Sequence, residues 1–350
     1  MTERVILLSP SRGLGGGIER YVETLEWAFA AQGISYQRID LHRSGSAGQI
    51  RMITGVRKLL RETVAPTRLV VGHRAMLPIA SLLARDDRSV RGMSVLCYGC
   101  DVWDAKFRLR RLAENRLLRR SSVRVVAISS FTAGAISRLR PATILPPGLS
   151  GEWFDALVQA AEADRKGRHG IRIVTAFRLA VWREKGLPEL MDAVAALGRP
   201  DVQLTVCGTG EPPADLLEAV RKQASCTLLP ALSDRELAVQ LAEADLFVLA
   251  TRTRTGRRAS GEGFGLVLLE AQVAGTPVVG PAYGGSPDAY VDRVTGVAPV
   301  DETAAALAEV IGGMLADPQR LEQMGRRAAR WSRESFAPER YAQLVVSKLL

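Results

Sequence analysis

Histidine and aromatic side chains are scarce in this chain: three histidines among 350 residues, with Phe, Trp and Tyr together at 5%. So few histidines leave little material for acid-base chemistry around a single substrate carbon. So few aromatics remove the stacking platforms that a single-strand nucleic-acid binder uses. The net charge of +10 is carried by arginines spread along the whole chain, so nucleic acid is not expected as a partner. Cysteine is sparse as well, with four residues. Cys97 and Cys100 make a lone C-x-x-C with no second pair, which is weak ground for zinc or redox chemistry. Together with the isolated Cys207 and Cys226 they read as ordinary thiols. Long apolar runs are also missing. None reaches the roughly 18 residues of a membrane-spanning helix, and Met1 to Pro10 reads as a first strand rather than a signal peptide. A cytoplasmic protein is expected, with the inner membrane face as the alternative location.

What is present is a globular composition, 47% hydrophobic and 24% charged. That length suits one very large domain or two ordinary ones. Short apolar strands alternate with helical stretches. Val5–Ser9, Tyr36–Leu41, Arg68–Gly72, Ser94–Tyr98, Arg124–Ile128 and Ala142–Leu145 are strand candidates in the first half. A charged stretch, Glu162 to Gly170, suits a solvated connector. The alternation restarts with Arg172–Ala176, Gln203–Cys207, Thr227–Leu229, Leu246–Ala250 and Pro277–Val279, and helices start near Leu187, Pro213, Ser233, Gly265 and Glu302. The fold class is α/β: two Rossmann-like domains, 1–165 and 170–333, facing a central cleft at the carboxyl ends of their strands. A helix within 334–350, with Tyr341, Leu344, Val345 and Leu349 apolar, is expected to pack back on the first domain. Lys106 to Arg120 is the one dense basic cluster. Its apolar residues Phe107, Leu112 and Leu118 suggest an amphipathic surface helix, or a patch for an anionic membrane or acceptor.

Four segments carry chemistry. Glu262 and Glu270 are eight positions apart, with Gly263 and Gly265 in a tight turn between them and an apolar helix start, Leu266 to Leu269, after it. A helix N-terminus of this kind receives an anion. An acid on either side brackets a nucleotide-sugar, one at the sugar hydroxyls and one at the ribose. Arg178 and Lys185 follow a strand and precede a helix, where a guanidinium fork and an ammonium neutralise a diphosphate. Gly15, Gly16 and Gly17, ahead of Glu19 and Arg20, let backbone approach a ligand closely after the first strand. The spacing of Gly13, Gly15 and Gly16 is not that of the dinucleotide fingerprint, which disfavours a nicotinamide dehydrogenase. Gly208 and Gly210, after Cys207, form a second turn at a strand end.

In this order the segments resemble family 4 glycosyltransferases of the GT-B fold, over nearly the whole chain. The E-G-F-G-x-x-x-x-E block with the following A-G-T-P-V-V and G-G is the most specific part. The resemblance implies a retaining transfer from a nucleoside-diphosphate sugar, UDP- or GDP-linked, to a hydroxyl acceptor, with no cofactor and no bound metal. Arg178 and Lys185 would hold the diphosphate. Glu262 would meet the donor sugar, beside the amides of Phe264, Gly265 and Leu266, and Glu270 would meet the ribose. Gly16 and Gly17 would close over the diphosphate from the first domain, which would also supply the acceptor. A front-face attack, assisted by the leaving phosphate, would need no protein nucleophile.

Two departures stand out. Where the family carries His-Gly-x-Asp/Glu-Val-Trp, this chain has Tyr98-Gly-Cys-Asp101-Val-Trp103. A phenol can bond a sugar hydroxyl but is a poor base near neutral pH. Of His42, His73 and His169, His73 ends a strand and is the one that could reach the cleft. Residues between Arg178 and Lys185 also put Arg183 forward as a competing phosphate contact. The rival readings are a non-catalytic sugar-nucleotide-binding protein of the same fold, favoured by Tyr98, and a sugar-nucleotide epimerase.

Overall fold

The structure, a computed structural model, describes residues 4–10, 16–41, 46–62, 65–99, 102, 108–163, 170–255 and 259–350. Asp101 lies outside them, as do Gly13, Gly15, His42, Cys100, Trp103, Lys106, Phe107 and His169. The chain divides into two compact units. The first is Met1–Ser150 with Thr255–Gly263 and Pro338–Leu350; the second is Gly151–Arg254 with Phe264–Ala337.

The first unit is built on a six-stranded sheet: β1 (Arg4–Ser9), β2 (Tyr36–Asp40), β3 (Thr67–Val71), β4 (Val90–Cys97), β5 (Val123–Ala127) and β6 (Thr143–Ile144), in the order β2-β1-β3-β4-β5-β6. All pairings are parallel. Such a sheet is buried on both faces, so its strands are nearly all apolar. Every residue of β1 is buried, Arg4 included; its Nη2 donates to the Leu59 carbonyl at 2.9 Å. Helices α1 (Gly17–Ala31), α2 (Ser46–Glu62), α3 (Leu77–Asp86), α4 (Arg108–Leu118) and α5 (Ser130–Ile136) connect the strands. Among the described side chains of α4, Glu114 and Leu118 are buried and Leu117 packs against the core. Leu112, expected on the apolar face, is 63% exposed. The Glu114 carboxylate takes that inner position because it is paired, with Arg74 Nε at 3.2 Å and Arg111 Nη1 at 3.2 Å.

The second unit has a sheet in the order β12-β11-β10-β7-β8-β9, again all parallel. Its strands are β7 (Ile171–Arg178), β8 (Val202–Thr209), β9 (Cys226–Pro230), β10 (Leu246–Val248), β11 (Val278–Val279) and β12 (Gly296–Val297). Its helices are α6 (Gly151–Glu162), α7 (Leu187–Ala196), α8 (Ala214–Arg221), α9 (Asp234–Ala242), α10 (Leu266–Val273), α11 (Ala304–Leu315) and α12 (Pro318–Ser335). The boundary falls before α6, earlier than the charged connector suggested. The reason is packing: α6 lies on α9 and α10, and its Trp153 is bonded to Glu270.

The last helix, α13 (Pro338–Leu349), belongs to the first unit and packs on α1. Tyr341 donates to the Pro146 carbonyl at 2.9 Å, and Ser94 Oγ donates to the Leu349 carbonyl at 2.6 Å. Gly148 is required there, because a Cβ would stand 2.6 Å from the Tyr341 ring.

Candidate functional site

In a parallel sheet, ligands gather at the carboxyl ends of the strands, where neighbouring connections leave in opposite directions. In the second unit that point lies between β7 and β10, since β8 and β9 extend on one side and β11 and β12 on the other. Arg178 is the last residue of β7, and its side chain is exposed. A short 3-10 turn (Leu179–Val181) follows, and Lys185 precedes α7.

Three consecutive residues after β10 gather the predicted segments. Leu249 packs under Gly265, the residue that caps α10; a Cβ on Gly265 would come within 3.2 Å of Leu249 Cδ2 and 2.9 Å of Leu268 Cδ1. Ala250 packs under Gly186, where a Cβ would meet the Ala250 carbonyl at 2.0 Å. Thr251 Oγ1 accepts a hydrogen bond from Lys185 Nζ at 3.4 Å. Both glycines hold left-handed backbone, φ 70° at Gly186 and 82° at Gly265, where any other residue is strained. The following loop is tied down by Arg252 N–H to the Glu184 carbonyl at 2.9 Å and by Thr253 N–H to Glu302 Oε1 at 2.7 Å.

Helix α10 therefore starts at Leu266, behind Gly265 and with no side-chain cap. Its first backbone turn closes with Leu268 N–H on the Gly265 carbonyl at 2.8 Å. The amides of Phe264, Gly265 and Leu266 come before that turn, where a helix leaves donors without intrahelical partners. Phe264, Leu268 and Leu269 are buried, while Leu266 and Val267 are only half-buried. Glu270 is one turn further on and 4% exposed; its Oε1 accepts from Trp153 Nε1 at 3.1 Å. Trp153 carries no motif, and sequence reasoning missed it because the contact spans 117 residues.

Other expectations are redirected. Gly208 is not part of a turn: it lies inside β8, and a Cβ would stand 2.2 Å from Leu179 Cδ2, so packing accounts for it. Gly210 does turn, with φ 87° and open space around it. Arg183 is bonded to Asp215 and stacks 4.0 Å over the Trp182 ring, and that hydrogen bond holds Asp215 below the usual carboxylate range. Burial pushes the Cys207 thiol up to about 12 and Cys226 to about 11. Neither is a thiolate nucleophile near neutral pH.

In the first unit the corresponding point lies between β1 and β3. Gly16 caps α1 with φ 128°, and a Cβ on Gly16 or Gly17 would meet nothing within 4 Å. Both are exposed, which leaves the start of α1 open to an approaching ligand. Tyr98 is different. It is 4% exposed, stacked on His73 (centroids 5.9 Å apart) and edge-on to Tyr21 (6.0 Å). Its ring packs within the unit between His73 and Tyr21. His73 Nδ1 accepts from the Ala75 amide at 3.1 Å. Glu262, half-buried, belongs to this unit and precedes α10 by an irregular turn. Gly263 beside it packs on Gly99, whose amide would be 3.0 Å from an added Cβ. Among the described residues no three His, Cys, Asp or Glu side chains come together as a metal site.

Comparison with known proteins gives a family match over part of the chain and a fold match over all of it. Residues 169–331 match the family described as glycosyl transferases group 1. A GDP-mannose-dependent alpha-(1-6)-phosphatidylinositol monomannoside mannosyltransferase of Mycolicibacterium smegmatis is 29% identical over 280 residues, 76% of this chain and 71% of that protein. A D-inositol 3-phosphate glycosyltransferase of Segniliparus rotundus is 32% identical over 248 residues, 65% of this chain and 53% of that protein. The crystal structure of Anabaena HepE in complex with UDP and glucose has the same two-domain fold, with a TM-score of 0.73 at 17% identity over 99% of both chains. The glycosyl transferases group 1 match thus covers residues 169–331, and the architecture over the whole chain is the GT-B fold of two Rossmann-like units.

Proposed function

We propose that the chain is a retaining, metal-independent glycosyltransferase of family 4 that moves a sugar from a nucleoside-diphosphate sugar to a hydroxyl acceptor. The observation that carries this reading is the cluster after β10. There Leu249, Ala250 and Thr251 hold the α10 start, the Gly186 turn and Lys185 at the end of one sheet, with Arg178 closing the adjacent strand.

In this reading Arg178 and Lys185 neutralise the charge that grows on the departing diphosphate, and the amides ahead of α10 add donors. Glu270, held by Trp153, receives the ribose hydroxyls, and Glu262 receives those of the donor sugar. Gly16 and Gly17 give the diphosphate room at the start of α1, and Asp101 serves the acceptor side. The acceptor oxygen bonds to the anomeric carbon on the face from which the phosphate leaves, and its proton passes to that phosphate. No enzyme nucleophile is needed. The two relatives are named for phosphatidylinositol monomannoside and D-inositol 3-phosphate, so acceptors bearing an inositol phosphate are the first class to offer, with GDP-mannose and UDP-glucose as donors.

The test is nucleoside-diphosphate release from a panel of such pairs. Glu262→Ala and Lys185→Ala should each remove most turnover while circular dichroism and melting temperature stay at the parent values. Normal turnover in either variant would overturn the site. Activity unchanged by a chelator, and product with the donor's anomeric configuration by NMR, test metal independence and retention. A non-catalytic binding protein, the reading favoured by Tyr98, would bind donor and release no nucleotide with any acceptor. No helix among the described residues is long and apolar enough to cross a membrane. Peripheral contact through Arg111 to Arg120 is part of the proposal, motivated by exposed Leu112 among arginines. Sedimentation with anionic vesicles at low salt, absent at high salt, is the expected outcome.

A further inference from the structure

A second basic site lies at the other end of the first unit's sheet, where β4 and β5 begin. A pocket of about 180 Å³ opens there, lined by Ser81 and Arg85 from the last turns of α3, Arg91 and Gly92 from β4, and Arg120 and Ser122 ahead of β5. No carboxylate lines it. The two acids that end α3 are engaged elsewhere: Asp86 pairs with Arg57 at 2.7 Å, and Asp87 accepts from the Ser89 amide at 2.8 Å. Arg85, Arg91 and Arg120 form no ion pair among the described residues. A fourth guanidinium adjoins them, because Arg68 lies across Gly92; a Cβ there would be 2.7 Å from its Nη1. Ser81 is 9% exposed, and its hydroxyl is buried without a hydrogen-bond partner.

Two features separate this cluster from ordinary surface arginines. First, the carbonyls at the end of α4 do not explain it. Arg140 Nη1 donates to the Arg120 carbonyl at 2.7 Å, so that helix end is already served from outside the pocket. Second, an orphaned buried hydroxyl is costly unless something pairs with it, and Ser81, which carries one, lines this pocket. The three guanidinium groups, exposed and without carboxylate partners among the described residues, and the unmet hydroxyl are all matched by one kind of occupant, a compact oxyanion. The volume excludes larger molecules, since pockets for drug-sized ligands run to roughly 300–1,000 Å³.

We infer that this pocket binds a phosphate group, through Arg85, Arg91 and Arg120 with Ser81 donating a hydrogen bond, at a site separate from the one that takes the donor diphosphate. The group belongs either to a free phosphorylated small molecule or to a phospholipid headgroup.

Inorganic phosphate is the probe, titrated against chloride at constant ionic strength into the full chain, with melting temperature as the readout. Phosphate also suits Arg178 and Lys185, so the titration is run in an Arg178→Ala/Lys185→Ala background. A phosphate-dependent rise that persists in that background, and disappears when Arg85→Ala/Arg91→Ala is added, is expected. Ser81→Ala should weaken phosphate by about tenfold, the scale of one lost hydrogen bond to a charged group. A rise that survives Arg85→Ala/Arg91→Ala, or no rise in the Arg178→Ala/Lys185→Ala protein, overturns the site and leaves the donor assignment untouched. Sedimentation with phosphatidylcholine vesicles carrying a phosphoinositide monoester, lost in Arg85→Ala/Arg91→Ala, assigns the headgroup. A phosphate-dependent rise without such sedimentation assigns the soluble ligand.

Discussion

Replacing Trp153 by Phe tests the donor site through a residue that no motif names. The indole N–H reaches Glu270 Oε1 at 3.1 Å, and the two side chains are 6% and 4% exposed. A buried hydrogen bond to a carboxylate contributes about 1.5–3 kcal/mol. Glu270 has further contacts, so the lower end applies, and about 1.4 kcal/mol corresponds to a tenfold change in affinity. If Glu270 receives the ribose, Trp153→Phe should raise the donor KM about tenfold and leave kcat within about threefold, because a ground-state contact is loosened rather than a transition-state one. Steady-state kinetics with varied donor, alongside urea unfolding, separates two roles. Lower stability with unchanged donor KM would mean that Trp153 only packs. Unchanged KM together with unchanged stability would refute the reasoning about Glu270 itself.

Gly186→Ala should cost about 3 kcal/mol or more of stability, since a left-handed residue and an approach of 2.0 Å to the Ala250 carbonyl must both be accommodated; urea unfolding within about 0.5 kcal/mol of the parent would contradict it. Stability should also decline in alkali. Burial raises Cys207 from 9.0 to about 12 and Tyr290 from 10.0 to about 12, and lifts Tyr341 well above its ordinary value. The native state therefore keeps protons that the unfolded chain releases, so the stabilisation is complete below about pH 9 and is lost as pH climbs toward 12. A urea midpoint that stays level between about pH 8 and 11 would argue against this. For the same reason Cys207 and Cys226 should resist alkylation in the native protein at about pH 8, and mass spectrometry showing rapid labelling would count against their burial.

The strands were legible because a parallel sheet buried on both faces is written as short apolar runs, and Val5–Ser9 needed only Arg4 added. The two-residue β12 left no such run. Helix α12 went unread because its charge masks a regular stripe, Leu321, Met324, Ala328 and Trp331, spaced by three and four. In the site, backbone-dictated positions were the readable ones: Gly265 turned out to be a left-handed cap, and Lys185 sits beside Thr251. Side-chain environments were not readable. Tyr98 matched a motif position, yet its ring fills space between His73 and Tyr21. Gly208 resembled a loop glycine but is a strand residue making room for Leu179. Such facts depend on neighbours far away in sequence, which no local pattern records.

Helix α13 is encoded after the whole of the second unit, yet it supplies part of the first unit's covering layer, through Tyr341 at Pro146 and Leu349 at Ser94. During synthesis the amino-terminal sheet therefore stays without this cover while some two hundred intervening residues emerge. The first unit's cover is thus made only after the second unit, and a fragment ending at Ser150 would leave the α13-facing side of α1 bare to water.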